Sequence, residues 1–235
     1  MRVRAVTTRI FKEDEDLALF IRQYLRSLKE GSIVVVTSKI VALAEGRVAS
    51  LTDARGKGLL IQAESELAIP TKYAWLTVKD GAVLASAGID ESNADGKMIL
   101  LPHDSFAVAS ALRRFLQKHY KKKRLGVLIT DSRSMPLQAG VVGVAVGYAG
   151  FRGVCDYRGK KDLFGRALQY SRLNIANSLA AAAVVTMGEG DERRPLAIID
   201  DADVEFCERV RRDELRINIE DDLYQPFFDY LAERH

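Results

Sequence analysis

Cysteine is almost missing from the 235 residues: the two present, Cys155 and Cys207, exclude a disulfide framework and a thiolate zinc site. Histidine is nearly as scarce. Of three, His235 closes the chain, His119 sits in the basic run 118–124, and only His103 falls in a loop suited to a site. A histidine-centred triad or zinc centre is therefore poorly supplied, and any catalysis falls to carboxylates, hydroxyls, arginines and a hard metal. Long apolar runs are missing too. The longest, residues 179–185, is far too short to cross a bilayer, and residues 1–11 hold no continuous apolar stretch of a signal peptide. Nor does one sign of charge dominate: 35 Lys and Arg against 32 Asp and Glu leave +3, too little for the broad basic field of a nucleic-acid binder. A cytoplasmic protein with small-molecule partners is the plain reading, with membrane excluded and nucleic acid disfavoured.

What is present is a globular composition, 48% apolar and 29% charged, enough for one large α/β domain or two small ones. A short strand is expected near Val3, followed by a helix carrying Leu17, Phe20, Ile21, Tyr24, Leu25 and Leu28, with Gly31 as its stop. Residues 32–43 read as β-rich and 52–70 as a loop with a helical piece. Residues 75–78 and 82–86 read as a hairpin turning on Asp80-Gly81. A polar loop at 88–96 leads to a short apolar run at 98–101. A helix over 105–119 buries Val108, Leu112, Phe115 and Leu116. A strand over 124–130 delivers Thr130-Asp131-Ser132 into a loop. Five glycines punctuate residues 140–153, as where backbones approach closely. An Ala-rich helix over 171–187 ends at Gly188-Glu189-Gly190, a strand follows at 195–200, and a last amphipathic helix spans 223–231. The class is α+β, in a single unit over residues 1–235 that allows two interleaved subdomains.

Three carboxylates stand where elements end: Asp90, Asp131 and Glu189, with the Ser132 hydroxyl beside Asp131. Two or three such oxygens suit Mg²⁺ or Mn²⁺, although an isolated Asp more often caps a helix or turn. A metal held by few carboxylates keeps positions for substrate phosphates. Arg158, Lys160 and Arg166, with Arg152 and Lys161, are the candidate anion partners; a solvated basic loop paired with Asp156 and Asp162 explains them about as well. No Walker loop is present, and Gly143, Gly147 and Gly150 have the wrong spacing for a dinucleotide fingerprint. The basic run 118–124 complements a helix C-terminus, and with only Tyr120 for stacking, RNA binding ranks last. Cys155, with no activating group nearby in sequence, reads as a structural thiol.

Six motifs occur together in order: Ala44-Glu45-Gly46-Arg47, residues 86–93, Thr130-Asp131-Ser132, residues 145–150, residues 156–166, and Met187-Gly188-Glu189-Gly190. In this set the chain resembles the coenzyme F-420 γ-glutamyl ligase family over roughly residues 3–200. The resemblance implies the mixed-sheet α+β fold of that family and an intertwined homodimer. It implies a GTP-driven amide ligase that adds an amino acid, glutamate in the family, to a carboxylate-bearing acceptor through an acyl phosphate. It also implies Mg²⁺ or Mn²⁺, with Asp90 and Asp131 holding one metal and Ser132 and Glu189 helping to hold a second. Ser38, Asn93, Gly188 and Gly190 would contact the nucleotide.

Departures from the family pattern fall on the nucleotide side. Thr7-Thr8-Arg9 stands where the family shows Gly-hydrophobic-Pro, Leu43 where it carries Lys, and residues 133–140 replace its Gly-Arg pair and following Arg. Leu43 and Gln138 each remove a cation that could meet a phosphate, at about 1.5–3 kcal/mol per charged hydrogen bond, unless Arg9 or Arg133 compensates. Two classes of function follow: an active ligase with changed substrate or phosphate donor, or a non-catalytic relative that binds an anionic metabolite. The small residues over 140–150 and 178–184 suit close approach, either across a dimer interface or within one chain.

Overall fold

The computed structural model describes residues 1–50 and 53–232. In chain order the elements are β1 (Arg2–Val6), α1 (Leu17–Tyr24), β2 (Ile33–Thr37), α2 (Ser38–Ala44), β3 (Val48–Ser50), α3 (Ala54–Ala63) and β4 (Leu67–Pro70). There follow β5 (Trp75–Lys79), β6 (Ala82–Ala85), β7 (Lys97–Ile99), α4 (Ser105–Tyr120), β8 (Gly126–Ser134) and β9 (Val141–Ala149). The remainder are β10 (Val154–Asp156), β11 (Arg172–Asn174), α5 (Ile175–Met187), β12 (Leu196–Asp200) and α6 (Gln225–Ala232). The expected α+β class with a mixed sheet holds. His235 lies outside the described residues, as does position 52 of the expected 52–70 segment, whose remainder forms α3 and β4.

A five-stranded sheet in the order β1-β12-β2-β8-β9 organises the molecule; β2 and β8 are parallel and every other pair is antiparallel. Ile33, Val34, Val35 and Val36 form an unbroken apolar run with no exposure, because β2 is covered on both faces. Val34, Val36, Val127 and Ile129 pack beneath helices α1, α2 and α4, with Phe20, Ile21, Leu112 and Leu116 facing them. Ile33, Val35, Leu128 and Tyr148 face the other way, onto Ala176, Leu179, Ala180 and Ala183 of α5. Alternation along each strand thus builds two cores from one sequence. Each Val, Leu or Ile so buried contributes about 1.5–3 kcal/mol against exposure.

Between α2 and α4 the chain leaves the sheet to form two small ones, β3-β7 and the meander β4-β5-β6. The β5–β6 hairpin turns on Asp80 and Gly81 as expected, both with positive φ (52° and 68°). After β12, residues 201–217 strap across the α5 face. Phe206 pairs with Phe151, the Arg113 guanidinium forks onto Glu208, and Glu214 accepts from the Tyr148 hydroxyl and the Gly153 amide. Among the described residues no helix is long and apolar enough to cross a membrane.

Four local expectations change in three dimensions, one of them at 171–174, where Arg172–Asn174 pairs with β10 as strand β11 and the Ala-rich helix starts only at Ile175. The 17–28 periodicity supports a helix only to Tyr24; Leu25, in extended backbone, and Leu28 stay buried beyond the helix end, so their burial comes from tertiary packing rather than helical repeat. The β-rich reading of 32–43 divides into β2 and α2, since Ser38 starts a helix directly at the strand end. Thr130-Asp131-Ser132 is strand, not loop: β8 continues to Ser134, paired with β9.

That pairing explains the glycines of 140–153. The register slips by one residue at Ile129/Thr130, leaving Val146 of β9 unmatched. Gly143 and Gly147, four apart, would otherwise share a face; the bulge turns them to opposite ones. A Cβ on Gly147 would meet the Ser105 backbone at 2.5 Å, and one on Gly143 the Ala180 carbonyl oxygen at 2.7 Å. The small residues therefore serve packing of α4 and α5 within the chain. Gly143→Ala should lower unfolding free energy by about 1–3 kcal/mol in urea denaturation, because the obstructing oxygen belongs to helix backbone that cannot swing away.

Candidate active site

Parallel pairing places the site. Thr37 of β2 lies beside Thr130 of β8 where their parallel pairing ends, so the next residues, Ser38 opening α2 and Asp131 continuing along β8, lie side by side. The Ser38 hydroxyl donates to Asp131 Oδ1 at 2.9 Å although 93 residues separate them. In α/β sheets ligands favour this end of parallel strands. The residues expected at a metal or nucleotide site gather around this pair.

Asp90 reaches it from the loop before β7. Its backbone is pinned by paired bonds with Ile99, at 2.9 and 2.8 Å. Upstream, Ser86, Ala87 and Gly88 take successive positive φ values of 49°, 56° and 74°, an arrangement costing of order 1 kcal/mol or more at each non-glycine. The buried Thr77 hydroxyl holds that strained turn, accepting from the Ala87 amide at 2.8 Å and donating to the Leu84 carbonyl at 2.7 Å. Asp90 then binds Lys39 of α2 at 2.7 Å and accepts from the Ser92 amide and hydroxyl. Lys39 also donates to the Ser92 carbonyl at 2.6 Å. Sequence reasoning passed over Lys39; its place one residue after Ser38, at the end of an apolar strand, was the available signal.

Strand alternation sends Asp131 and Ser132 to opposite faces. Asp131 faces α2, whereas Ser132 faces α5 and donates to Glu189 Oε1 at 2.5 Å. The two faces meet at the rim, where the Asn93 amide donates to the Gly190 carbonyl at 3.1 Å. Gly188, at φ 85°, caps α5 and turns the chain toward this rim. Ser38, Asp90, Asn93, Asp131, Ser132, Glu189 and Gly190 are thus brought together from four segments. Arg158, Lys160 and Arg166 are not. The Arg158 guanidinium closes on Asp156, holding that carboxyl down to about 2, and the Lys160 ammonium sits over the Tyr157 ring. The Arg166 amide closes a turn on Asp162. His103 donates its amide to Glu45, and Cys155 lies in β10 beside Tyr157.

In the basic run, Lys121 adopts the left-handed cap of α4, Glu30 accepts the Lys123 and Arg124 amides, and the Tyr120 hydroxyl donates to the Leu25 carbonyl. Those residues finish a helix, and Tyr120 packs against the core rather than standing free for a base. Leu43, where a phosphate-facing cation was missed, also packs against core residues. Arg9 does not replace it, since its guanidinium forks onto Glu15, 2.8 Å at Oε1, and covers the Phe20 ring.

Electrostatics divides the two aspartates. Burial pushes Asp131 up; its hydrogen bonds from Ser38 and the Ser132 amide, and the nearby Arg133 charge, only partly offset burial and the repulsion of Asp90. Burial also pushes Asp90 up, but the Lys39 ammonium and the Ser92 hydrogen bonds outweigh it and leave the carboxyl below its ordinary value. Thr130 Oγ1 and Arg133 Nε, flanking Asp131, are buried with no hydrogen-bond partner, each costing about 1–3 kcal/mol.

Carboxylate and hydroxyl oxygens are the donors that Mg²⁺ and Mn²⁺ prefer. Among the described residues no three Asp, Glu, His or Cys side chains form one cage, since Lys39 engages Asp90 and Ser132 engages Glu189. The donor chemistry fits hard cations shared with substrate oxygens: Asp131 with Asp90 would hold one, and Ser132 with Glu189 would help to hold a second on the other face.

Residues 57–201 match the model of the F420-0:γ-glutamyl ligase family. The chain belongs to this family. It is 34% identical to the coenzyme F420:L-glutamate ligase of Methanocaldococcus jannaschii, with 90% of this chain and 92% of that protein covered. The proteins of the same name from Methanopyrus kandleri and Archaeoglobus fulgidus are 36% and 32% identical, over 78% and 81% of this chain and 80% and 83% of their own. All the gathered site residues from Asp90 to Gly190 fall inside the span of the family model; Ser38 and Lys39 precede it.

The two aspartates predict opposite pH behaviour. Asp131 is raised in the folded state, so its contribution is full below the unfolded carboxylate value and lost as pH rises through the folded one. Asp131→Asn should therefore raise the melting temperature at pH 7 and flatten its decline from acid to neutral pH. Asp90 is lowered, so its contribution is present above the unfolded value and lost as pH falls through the folded one. Asp90→Asn should lower the melting temperature at pH 7, and melting curves from pH 3 to 8 check both.

Proposed function

We propose that this chain is an amino-acid ligase. It joins the amine of L-glutamate to a carboxylate of a deazaflavin coenzyme of the F420 type, driven by a nucleoside triphosphate. The observation that carries the reading is the convergence of Ser38, Asp90, Asp131, Ser132 and Glu189 where the parallel pairing of β2 with β8 ends, in a chain whose relatives over most of its length bear the name of glutamate ligases. The acceptor carboxylate takes the terminal phosphoryl group from the triphosphate, GTP in the first instance. The amine then attacks the acyl phosphate, forming the amide and releasing phosphate. Mg²⁺ or Mn²⁺ would neutralise the phosphate charge in this exchange.

The chain's own residues do the rest. Lys39 and Ser92 hold Asp90 ionised, and the pinned turn behind it fixes its position. Asp131, set beside Asp90, would offer its carboxylate to the cation on that face. Ser38 fixes the Asp131 carboxylate in orientation. Asn93 and the 188–190 turn present polar groups at the rim for a nucleotide.

Incubation with GTP, Mn²⁺, L-glutamate and the F420 coenzyme should release phosphate and yield a product heavier by one glutamyl residue. Asp131→Asn should lower kcat/KM at least about 100-fold. Mn²⁺ at 100 times its Kd should stabilise the wild type by about 2.7 kcal/mol, do much less for Asp131→Asn, and act undiminished on Asp156→Asn, whose carboxylate serves Arg158 instead. Absence of product together with tight binding of an acidic metabolite would replace the ligase by a binding protein.

A homodimer is part of the same proposal. The segment 157–171 projects Leu163, Phe164 and Tyr170 almost wholly into solvent, and the outer part of the β8–β9 hairpin exposes Met135, Leu137, Val141 and Val142. Apolar residues grouped on projecting segments call for a covering surface, and a second copy supplies one for both. Sedimentation should give twice the 26.1 kDa chain mass, and Leu163→Ser with Phe164→Ser should shift it toward a single chain.

A further inference from the structure

The geometry points to Arg133 as the residue that takes a substrate oxyanion, a carboxylate or phosphate oxygen bound on the Asp131 face of the site. Arg133 lies two residues after Asp131 on β8, opposite Val142 of β9, so the two side chains share the face turned toward α2. It makes no hydrogen bond or ion pair with any described residue, and its Nε is closed off from solvent. Arg113, the arginine most deeply buried in the core, has its guanidinium fork met by Glu208 and its Nε by the Leu125 carbonyl, whereas the buried Nε of Arg133 meets nothing. Asp131, the acid nearest in sequence, accepts from Ser38 instead.

Other cations offer no substitute. Lys39 is committed to Asp90, Arg9 to Glu15, and Met135 and Gln138 of the same hairpin carry no charge. A half-buried guanidinium fork without a partner, beside a carboxylate suited to metal, matches an anion arriving with the substrate. The inference rests on the ligase reading only for which anion that is: a phosphate of the triphosphate or a carboxylate of the amino acid or acceptor.

The test uses the full chain and two probes, inorganic tripolyphosphate with Mg²⁺ and L-glutamate, titrated calorimetrically against wild type, Arg133→Gln, Arg133→Lys and an Arg211→Gln control. Arg133→Gln is expected to weaken one probe roughly 10- to 100-fold, Arg133→Lys to recover part of that, and Arg211→Gln to change neither. The weakened probe identifies the anion as phosphate or carboxylate. Arg133→Met should melt higher than wild type without probe, since it removes an unpartnered buried donor, and lose the stabilisation that probe gives the wild type. Unchanged affinity of Arg133→Gln for both probes, or failure of the wild type to bind either at millimolar concentration, overturns the assignment. Product formation with unchanged KM in Arg133→Gln would sink this inference and leave the ligase standing. Loss of tripolyphosphate affinity in a chain that makes no product would do the reverse.

Discussion

The parallel pairing of β2 with β8 is the constraint on which the remainder depends. Five successive residue pairs, Ile33 with Gly126 through Thr37 with Thr130, fix the register. The Ile-Val-Val-Val run of β2 must be covered on both faces, so helices have to lie above and below. Once that register is set, the residues leaving the two strands have no freedom to separate. Ser38 starts α2, Asp131 continues along β8, and their hydrogen bond follows from the pairing rather than from any local preference.

The neighbouring strand adapts to this arrangement. By carrying one unmatched residue, Val146, β9 gives its inner half a glycine toward α4 and its outer half a glycine toward α5. Both helices then press closely enough for α5 to end at the rim of the site, where Gly188 turns Glu189 toward Ser132. Packing and chemistry are the same event here: the close approach that fills the second core also delivers the second acidic group.

Charge at the site is arranged to be unsettled. Asp90 is neutralised by Lys39, while Asp131 has only neutral donors in hydrogen-bond contact and feels the Arg133 charge against a second carboxylate. Arg133 and Thr130 leave polar atoms unpaired beside it. Such groups cost stability in the unliganded protein and would regain it with cation and anion bound, so the arrangement is paid for by binding. The turn at residues 86–88, held left-handed by Thr77, is the corresponding backbone investment.

Local patterns were legible without coordinates: the 105–119 helix, the Asp80-Gly81 hairpin, the apolar run of β2 and the six short motifs, because each is written by neighbours within a turn or two of one another. The acidic candidates Asp90, Asp131 and Glu189 were likewise visible as carboxylates next to glycine or hydroxyl residues. Their partners were not. Lys39 meets Asp90 across 51 residues and Ser38 meets Asp131 across 93, and neither pairing has a periodicity to betray it. For the basic segment 156–166 the sequence offered an anion site or a loop paired with its own aspartates; in three dimensions Asp156 closes Arg158 within two residues, as the second reading has it for that arginine. Whether a stretch such as Thr130-Asp131-Ser132 is loop or strand, and which face each side chain takes, depends on β9 pairing with it, and strand pairing is decided only when the chain folds.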